Sequence, residues 1–149
     1  MKVIDKPYTE KKMKIIYNPR SIEQTDDLAE ILRIVREEEL TRIDFVHHAY
    51  PQYINGGWVG ISHATFIRPV GTGIQFTMVR AVNIPVLPRM HIYKSVRESL
   101  YYTLYFPGLL ADVHAIDIIE KEAPLPHRYF NFYDVSLERI AAAPLIVPN

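Results

Sequence analysis

The segment from Trp58 to Pro88 is rich in apolar and β-branched residues on both sides of a glycine turn. Gly71-Thr72-Gly73 stands at its centre, and glycine adopts the positive φ that tight hairpin turns require. We therefore predict a long central β-hairpin, with one strand over about 58–70 and the other over about 74–86. This hairpin is expected to form the middle of the fold.

Both faces of the predicted hairpin carry apolar side chains. Pairing about the glycine turn puts Arg68 opposite Phe76 and Ala64 opposite Arg80, so that Arg80 lies on an aromatic face. A sheet with one solvated face should alternate between apolar and polar positions, and these strands do not. We therefore expect one helix to cover one face, and either a second helix or another chain to cover the other.

Two segments have the apolar spacing and the start signals of helices. Residues 21–24 have the form of a capping box, and apolar residues follow at helical spacing: Leu28, Ile31, Leu32 and Val35. Residues 95–98 form a second capping box before another segment with apolar residues on one face. These patterns predict two main helices, over about 22–40 and 95–106.

Shorter segments complete the predicted sheet. A strand is expected within 13–19, and period-two alternation predicts others near 42–50, 113–121 and 128–134. The Asn-Gly-Gly sequence within 51–57 is typical of a turn. The predicted fold class is therefore α+β: an antiparallel sheet built on the central hairpin, with the two helices packed on it.

Length and composition agree with one globular domain. The chain has 149 residues, 48% of them hydrophobic and 23% charged, which is ordinary for a folded protein. We expect a single domain over 1–149. The charged, proline-broken segment 1–12 is predicted to be a loose arm, and the aliphatic tail 144–149 to be docked on a surface.

Several classes of protein are excluded or disfavoured by the residues present. The chain has no cysteine, which excludes disulfides and thiolate chemistry. No apolar stretch approaches the ~20 residues of a membrane span, and the N-terminal residues lack the apolar run of a signal peptide. We therefore expect a cytoplasmic or otherwise intracellular protein, free or incorporated into a particle, that is neither secreted nor membrane-bound.

The middle of the chain is a cationic block. Residues 45–97 contain five Arg and Lys side chains and no acid, although the whole chain has zero net charge. One interpretation is that these bases pair with acids near the C-terminus. The other is a small enzyme or ligand-binding domain with an anion-binding pocket, lined by His47, His48, His63, Arg68, Arg80 and His91.

No specific catalytic or metal-binding motif is present. The histidines lack the spacing of a zinc site, so we predict neither a metal nor a cofactor. Ser62 and His63 are neighbours on a predicted strand, where their side chains diverge. The acids Asp112, Asp117, Glu120 and Glu122 are interpreted as a solvated strand face. Zero net charge and aromatic residues mixed with aliphatic ones disfavour nucleic-acid binding.

The leading functional prediction is therefore non-enzymatic. The two-sided hairpin, a proline-bounded edge at 83–88 and the aliphatic tail indicate a structural or accessory subunit of a larger assembly, such as a virus particle or a multisubunit enzyme. Its partner would be another protein or a second copy of the chain. The predicted contact residues are Trp58, Val59, Ile61, Ile67, Val79, Leu145, Ile146 and Val147.

Overall fold

The computed structural model of the chain describes residues 13–123 and 129–138, and every regular element in these residues is a β-strand. In chain order they are β1 (Lys14–Tyr17), β2 (Glu23–Gln24), β3 (Ala29–Arg36), β4 (Leu40–His48), β5 (Trp58–Val59), β6 (Phe66–Pro69), β7 (Phe76–Thr77), β8 (Arg80–Val82), β9 (His91–Ile92), β10 (Ser99–Pro107), β11 (Ala115–Ile119) and β12 (Asn131–Ser136).

The strands form three antiparallel sheets. Sheet I has the order β1-β3-β4-β10-β8, and sheet II has the order β2-β12-β11-β6-β7. Sheet III is the short pair β5-β9. Phe45 of sheet I lies 5.8 Å from Phe132 of sheet II, measured between ring centroids, and the two sheets share one cluster of buried side chains. Sheets I and II therefore pack face to face over a common core.

The predicted α+β fold class is wrong, because both predicted helices are strands. The segment 22–40 contains β2 and β3, and the segment 95–106 ends in β10. In β3 the register against β4 shifts between Ile31 and Arg33, which marks a β-bulge. The extra residue interrupts the period-two alternation, so the apolar positions of a bulged strand imitate helical spacing.

Strand β10 has no bulge, and its alternation of buried and exposed side chains is that of a regular strand. Its side chains alternate between the core and the outside, with Tyr102, Leu104 and Phe106 buried and Tyr101 exposed. The segment is also dense in aromatic residues, which favour strands. The capping-box motif before it forms a turn, in which the Ser95 hydroxyl accepts from the amide of Arg97. Such local hydrogen bonds do not require a following helix.

The long central hairpin is also wrong. Only β6 and β7 pair across the glycine turn, and Ile67 lies opposite Phe76 where Arg68 was predicted, a shift of one residue. The chain then leaves sheet II, and β8 pairs with β10 of sheet I. Residues 58–59 belong to sheet III. The predicted second face does not exist as one surface: Val59, Ile61 and Ile67 are buried in the core of this chain, whereas Val79 is exposed.

The remaining predicted strands are confirmed in kind. Strands β1, β4, β11 and β12 lie within or across the segments predicted as extended, and Gly56 and Gly57 adopt positive φ in the predicted turn. The predicted arm 1–12 and tail 144–149 lie outside the described residues. No helix long and apolar enough to cross a membrane occurs in residues 13–123 and 129–138.

Candidate functional site

A cleft of about 660 Å³ opens where three separate parts of the chain meet. The first part is the loop after β4 together with β5. The second is Glu120, which directly follows β11, and the third is the pair of aromatic residues before β12. Its volume lies in the range of small-molecule sites. The side chains that define it are Tyr50, Tyr53, Trp58, Glu120, Tyr129 and Phe130.

The loop between β4 and β5 is held by its own backbone. The amide of Tyr50 donates to the carbonyl of Gly56 at 2.8 Å, and the carbonyl of Gly57 accepts from the amide of Tyr93 at 2.9 Å. Gly57 has φ +76°, and a Cβ there would lie 2.9 Å from the ring of Tyr53. Glycine is therefore required both for the backbone conformation and for the position of that ring.

Two tyrosine rings of this loop form a corner of the cleft. The centroids of Tyr50 and Tyr53 are 6.0 Å apart and their planes meet at 76°. Trp58 stands beside them on β5 and is 50% exposed, and it pairs with Ile92 of β9. An aromatic surface of this kind offers a large contact area at a small conformational cost on binding.

Glu120 is the carboxylate of the cleft, and only 4% of its surface is exposed. One oxygen accepts from the amide of Ser62 at 2.8 Å, and the other accepts from the amide of Phe130 at 3.0 Å. The amide of Glu120 donates to the buried Asn131 side chain. The carboxylate is thus fixed by the backbone, and each oxygen keeps a further lone pair for a ligand.

The electrostatics of Glu120 reflect its burial. Loss of solvent raises the pKa of Glu120 from 4.5 to about 7, against the opposing effect of the Phe130 and Ser62 amides, and the charge of Asp26 adds to the rise. No salt bridge to Glu120 occurs within the described residues. A carboxyl group in this state is poised to change its charge near neutral pH.

A second buried carboxylate, Asp26, lies behind Tyr50. Its oxygens accept from the amide of Leu28 and the hydroxyl of Tyr50, each at 2.9 Å, and one lies 3.5 Å from Nε2 of His47. The last distance is an electrostatic contact rather than a good hydrogen bond. Burial opposes ionisation of Asp26, but His47, Leu28 and Tyr50 together outweigh it and hold its pKa below the usual value.

His47 connects this carboxylate to the back of the cleft. Its Nδ1 lies 2.8 Å from the hydroxyl of Tyr93, and its ring is about 5 Å from those of Tyr50 and Phe130. The side chain is completely buried. His47 therefore supports the aromatic wall from behind and does not reach the cleft itself.

The residues of the predicted anion pocket differ in burial and in their partners. His47 is buried, whereas its neighbour His48 contacts Ser99 and Glu30 on the outside. Arg68 forms salt bridges with Asp117 at 2.9 Å and Glu122 at 2.8 Å, as the pairing interpretation of the cationic block expected. Of the other residues of that set, His63 and Arg80 are exposed. His91 is half-buried, and its ring lies 5.0 Å from that of Tyr93, which also packs against His47.

The predicted contact residues divide between core and surface. Val59, Ile61 and Ile67 are buried in the core of this chain, whereas Trp58 and Val79 are exposed. Leu145, Ile146 and Val147 lie outside the described residues. Among the residues that the structure describes, no group of three or more His, Asp or Glu side chains is placed to hold a metal ion.

Sequence reasoning did not find the cleft. Glu120 was assigned to a solvated strand face, but it directly follows four buried residues, 116–119, and is itself buried. An acid at the end of such an apolar strand is a signal of a special environment. A second signal was the concentration of aromatic residues around the Asn-Gly-Gly turn.

Comparison of the chain with protein-family models, with curated proteins and with solved structures finds no match.

Proposed function

We propose that this protein is a non-enzymatic ligand-binding domain, and that its ligand occupies the aromatic cleft around Glu120. The observation that carries the proposal is a cleft of about 660 Å³ in which five aromatic rings surround one buried carboxylate. Predominantly aromatic walls with a few fixed polar groups are the usual composition of a small-molecule site.

The polar groups of the cleft favour binding over catalysis. Among the described residues that line it, Glu120 is the only acid or base other than tyrosine. Burial, followed by the neighbouring Asp26, raises the pKa of Tyr50 far above its usual value, so its hydroxyl stays protonated. Acid–base catalysis commonly needs a second group within reach of the substrate, and Asp26 is already engaged behind Tyr50.

The sole tryptophan of the chain provides the test, because Trp58 lies at the cleft. A library of small amines, sugars, aromatic acids and alcohols should be screened by ligand-observed NMR, and hits should then be titrated by Trp58 fluorescence. We expect hits whose binding is lost in Tyr53→Ala by fluorescence, and in Trp58→Ala by ligand-observed NMR, because that variant has no tryptophan. The matched control is Tyr17→Ala, an exposed tyrosine on β1 that should not affect binding. Hits that bind equally to all variants, or no hit at all, would contradict the proposal.

A subunit of a larger assembly is the second candidate function. It is supported by exposed apolar side chains beside the cleft: Ile54 is 95% exposed and Ile92 is 67% exposed, next to Trp58. A partner protein, or a second copy of the chain, would cover these side chains. The cleft and this surface are adjacent, so one partner could use both.

Light scattering over a range of concentrations tests this second candidate. We expect self-association that Ile92→Ser weakens and that Ile22→Ser, an exposed residue on another part of the surface, leaves unchanged. A compact monomer at high concentration would count against an assembly role. That result would leave the ligand-binding proposal intact.

A further inference from the structure

We propose that the ligand of the cleft is an organic cation, an ammonium ion whose charge is surrounded by alkyl groups, held between the aromatic walls and the carboxylate of Glu120. This inference rests on the proposed ligand-binding function and names the chemical class of the ligand.

The charge of the cleft favours a cationic ligand. Among the described lining residues Glu120 is the only one with a formal charge when ionised, and no Lys, Arg or His side chain is among them. A buried carboxylate without a cation is costly, and a bound cation would remove part of that cost. An anionic ligand would instead face repulsion from Glu120.

The aromatic rings of the cleft also favour a cationic ligand. The face of an aromatic ring is negative and attracts a cation within about 6 Å of the ring centre. One ring of the cleft already does so, because Nζ of Lys121 lies 5.6 Å from the centroid of Tyr129. Tyr50 and Tyr53, which stand nearly at right angles, provide two adjoining walls around a compact charged group.

The scarcity of hydrogen-bonding groups decides between kinds of ligand. A primary ammonium presents three N–H donors and is strongly hydrated, whereas an alkylated one needs few acceptors. Val59 and Leu87 add apolar surface to the cleft, which suits alkyl groups. A sugar would need many directed polar partners, and Glu120 and Gln52 are the main non-tyrosine ones among the described lining residues.

Choline and its uncharged isostere 3,3-dimethylbutan-1-ol separate charge from shape. At pH 8 we expect choline to change Trp58 fluorescence and to bind about tenfold more tightly than the isostere, as cation–π attraction and one carboxylate would allow. Glu120→Gln should lower choline affinity by about threefold and leave the isostere unaffected, because the aromatic rings would still favour the cation. Tyr53→Leu should weaken choline binding, whereas Tyr17→Leu should not.

Each result has a defined meaning. Circular dichroism must show that Glu120→Gln is folded; if it is not, exposed Tyr53 supplies the test, since Tyr53→Leu must weaken choline more than the isostere. Equal binding of choline and isostere, or binding of a neutral disaccharide but not choline, would overturn the cation inference and keep the ligand-binding function. Absence of binding by every probe would overturn both. Free choline compared with an N-acetylated, amidated trimethyl-lysine distinguishes a small metabolite from a methylated protein side chain.

Discussion

Asp26 and Glu120 are both buried carboxylates, they lie on either side of Tyr50, and their pKa values move in opposite directions. Asp26 accepts hydrogen bonds from an amide and a hydroxyl and has His47 beside it. Glu120 accepts from two amides and forms no salt bridge within the described residues. The two carboxylates accept a similar number of hydrogen bonds. The difference between their pKa shifts therefore comes from the imidazole beside Asp26 and from the burial of Glu120.

This comparison separates a structural group from a binding group. The hydrogen bonds to Asp26 connect the loop after β4 to the segment before β3, and they occupy its oxygens inside the protein. Glu120 faces a cleft that is open to a ligand. A carboxylate that is buried yet still electrostatically unsatisfied is therefore the better candidate for recognition.

The largest expected effect follows removal of Asp26. Asp26→Ala leaves the Leu28 amide and the Tyr50 hydroxyl without their acceptor and removes the charge beside His47, so the free energy of unfolding should fall by about 4 kcal/mol. Urea denaturation at pH 7 measures it. The control is the exposed neighbour Asp27→Ala, expected to change stability by less than about 0.5 kcal/mol. A similar small change for both variants would show that Asp26 is not a structural anchor.

The pH dependence of stability should have opposite signs for the two carboxylates. Because the folded pKa of Glu120, about 7, exceeds 4.5, the folded state retains a proton that the unfolded state loses between these pH values. Stability should therefore fall as pH rises from 4.5 to 7, by on the order of 3 kcal/mol at most. The stabilisation from Asp26 is instead present above pH 3.8 and is lost as pH falls through its lowered folded pKa.

Urea denaturation at several pH values, compared between wild type and Glu120→Gln, isolates the contribution of Glu120 from that of the histidines. The titratable groups near Glu120 are Asp26, Tyr50 and Tyr102, and none of these gains or loses a proton in the folded state between pH 4.5 and 7. We expect the variant to gain stability relative to wild type across this window. A constant difference would mean that Glu120 is not perturbed.

Tyr50→Phe should separate the two roles of the residue between the carboxylates. It removes the hydrogen bond to Asp26 and should lower the free energy of unfolding by about 1.5 kcal/mol, a value typical of a bond to a charged group. The ring remains, so choline affinity should stay within about twofold. Tyr101→Phe, at an exposed position, is the control for loss of a hydroxyl. Loss of choline binding without loss of stability would reverse the assignment.

The smallest effect is expected for Lys121→Gln. Lys121 is exposed, and its contact with Tyr129 should contribute about 0.5 kcal/mol to stability. Burial is the main cause of the raised pKa of Glu120, so the midpoint of its pH transition should not move. A clear rise of that midpoint in Lys121→Gln would show that a nearby charge, and not burial alone, controls Glu120.

Several extended segments could be predicted from the sequence, including β11 and β12, although the register between these two strands shifts near Ile116. Strands β4, β11 and β12 have local alternation or β-branched residues, and the Asn-Gly-Gly turn has an unambiguous backbone requirement. Strand β3 could not be distinguished from a helix, because the bulge after Ile31 depends on pairing with β4. Strand β10 could have been predicted, since the aromatic residues of YYTLYF favour a strand more than a capping box favours a helix.

The candidate site was less predictable than the strands. Its parts are far apart in the sequence, at Tyr50–Trp58, Glu120 and Tyr129–Phe130, and they meet only through the pairing of the sheets. Local patterns contain no information on such meetings. The anion-pocket hypothesis was based on charges that are close together in the sequence. In the fold, Arg68 is instead neutralised by acids about fifty residues away along the chain.

The passage of the chain from β7 to β8 has a consequence for behaviour at high concentration. The amide of Met78 donates to the carbonyl of Thr65, the residue directly before β6 of sheet II. The next amide, that of Val79, donates to the carbonyl of Tyr105 in sheet I, and both distances are 2.7 Å. The outermost strands on this side are thus only two and three residues long and turn a corner between layers. A straight backbone edge is what another molecule would need for strand addition and fibre growth. Because the chain turns a corner here, this side has no long straight edge for strand addition, although the Val79 side chain is exposed.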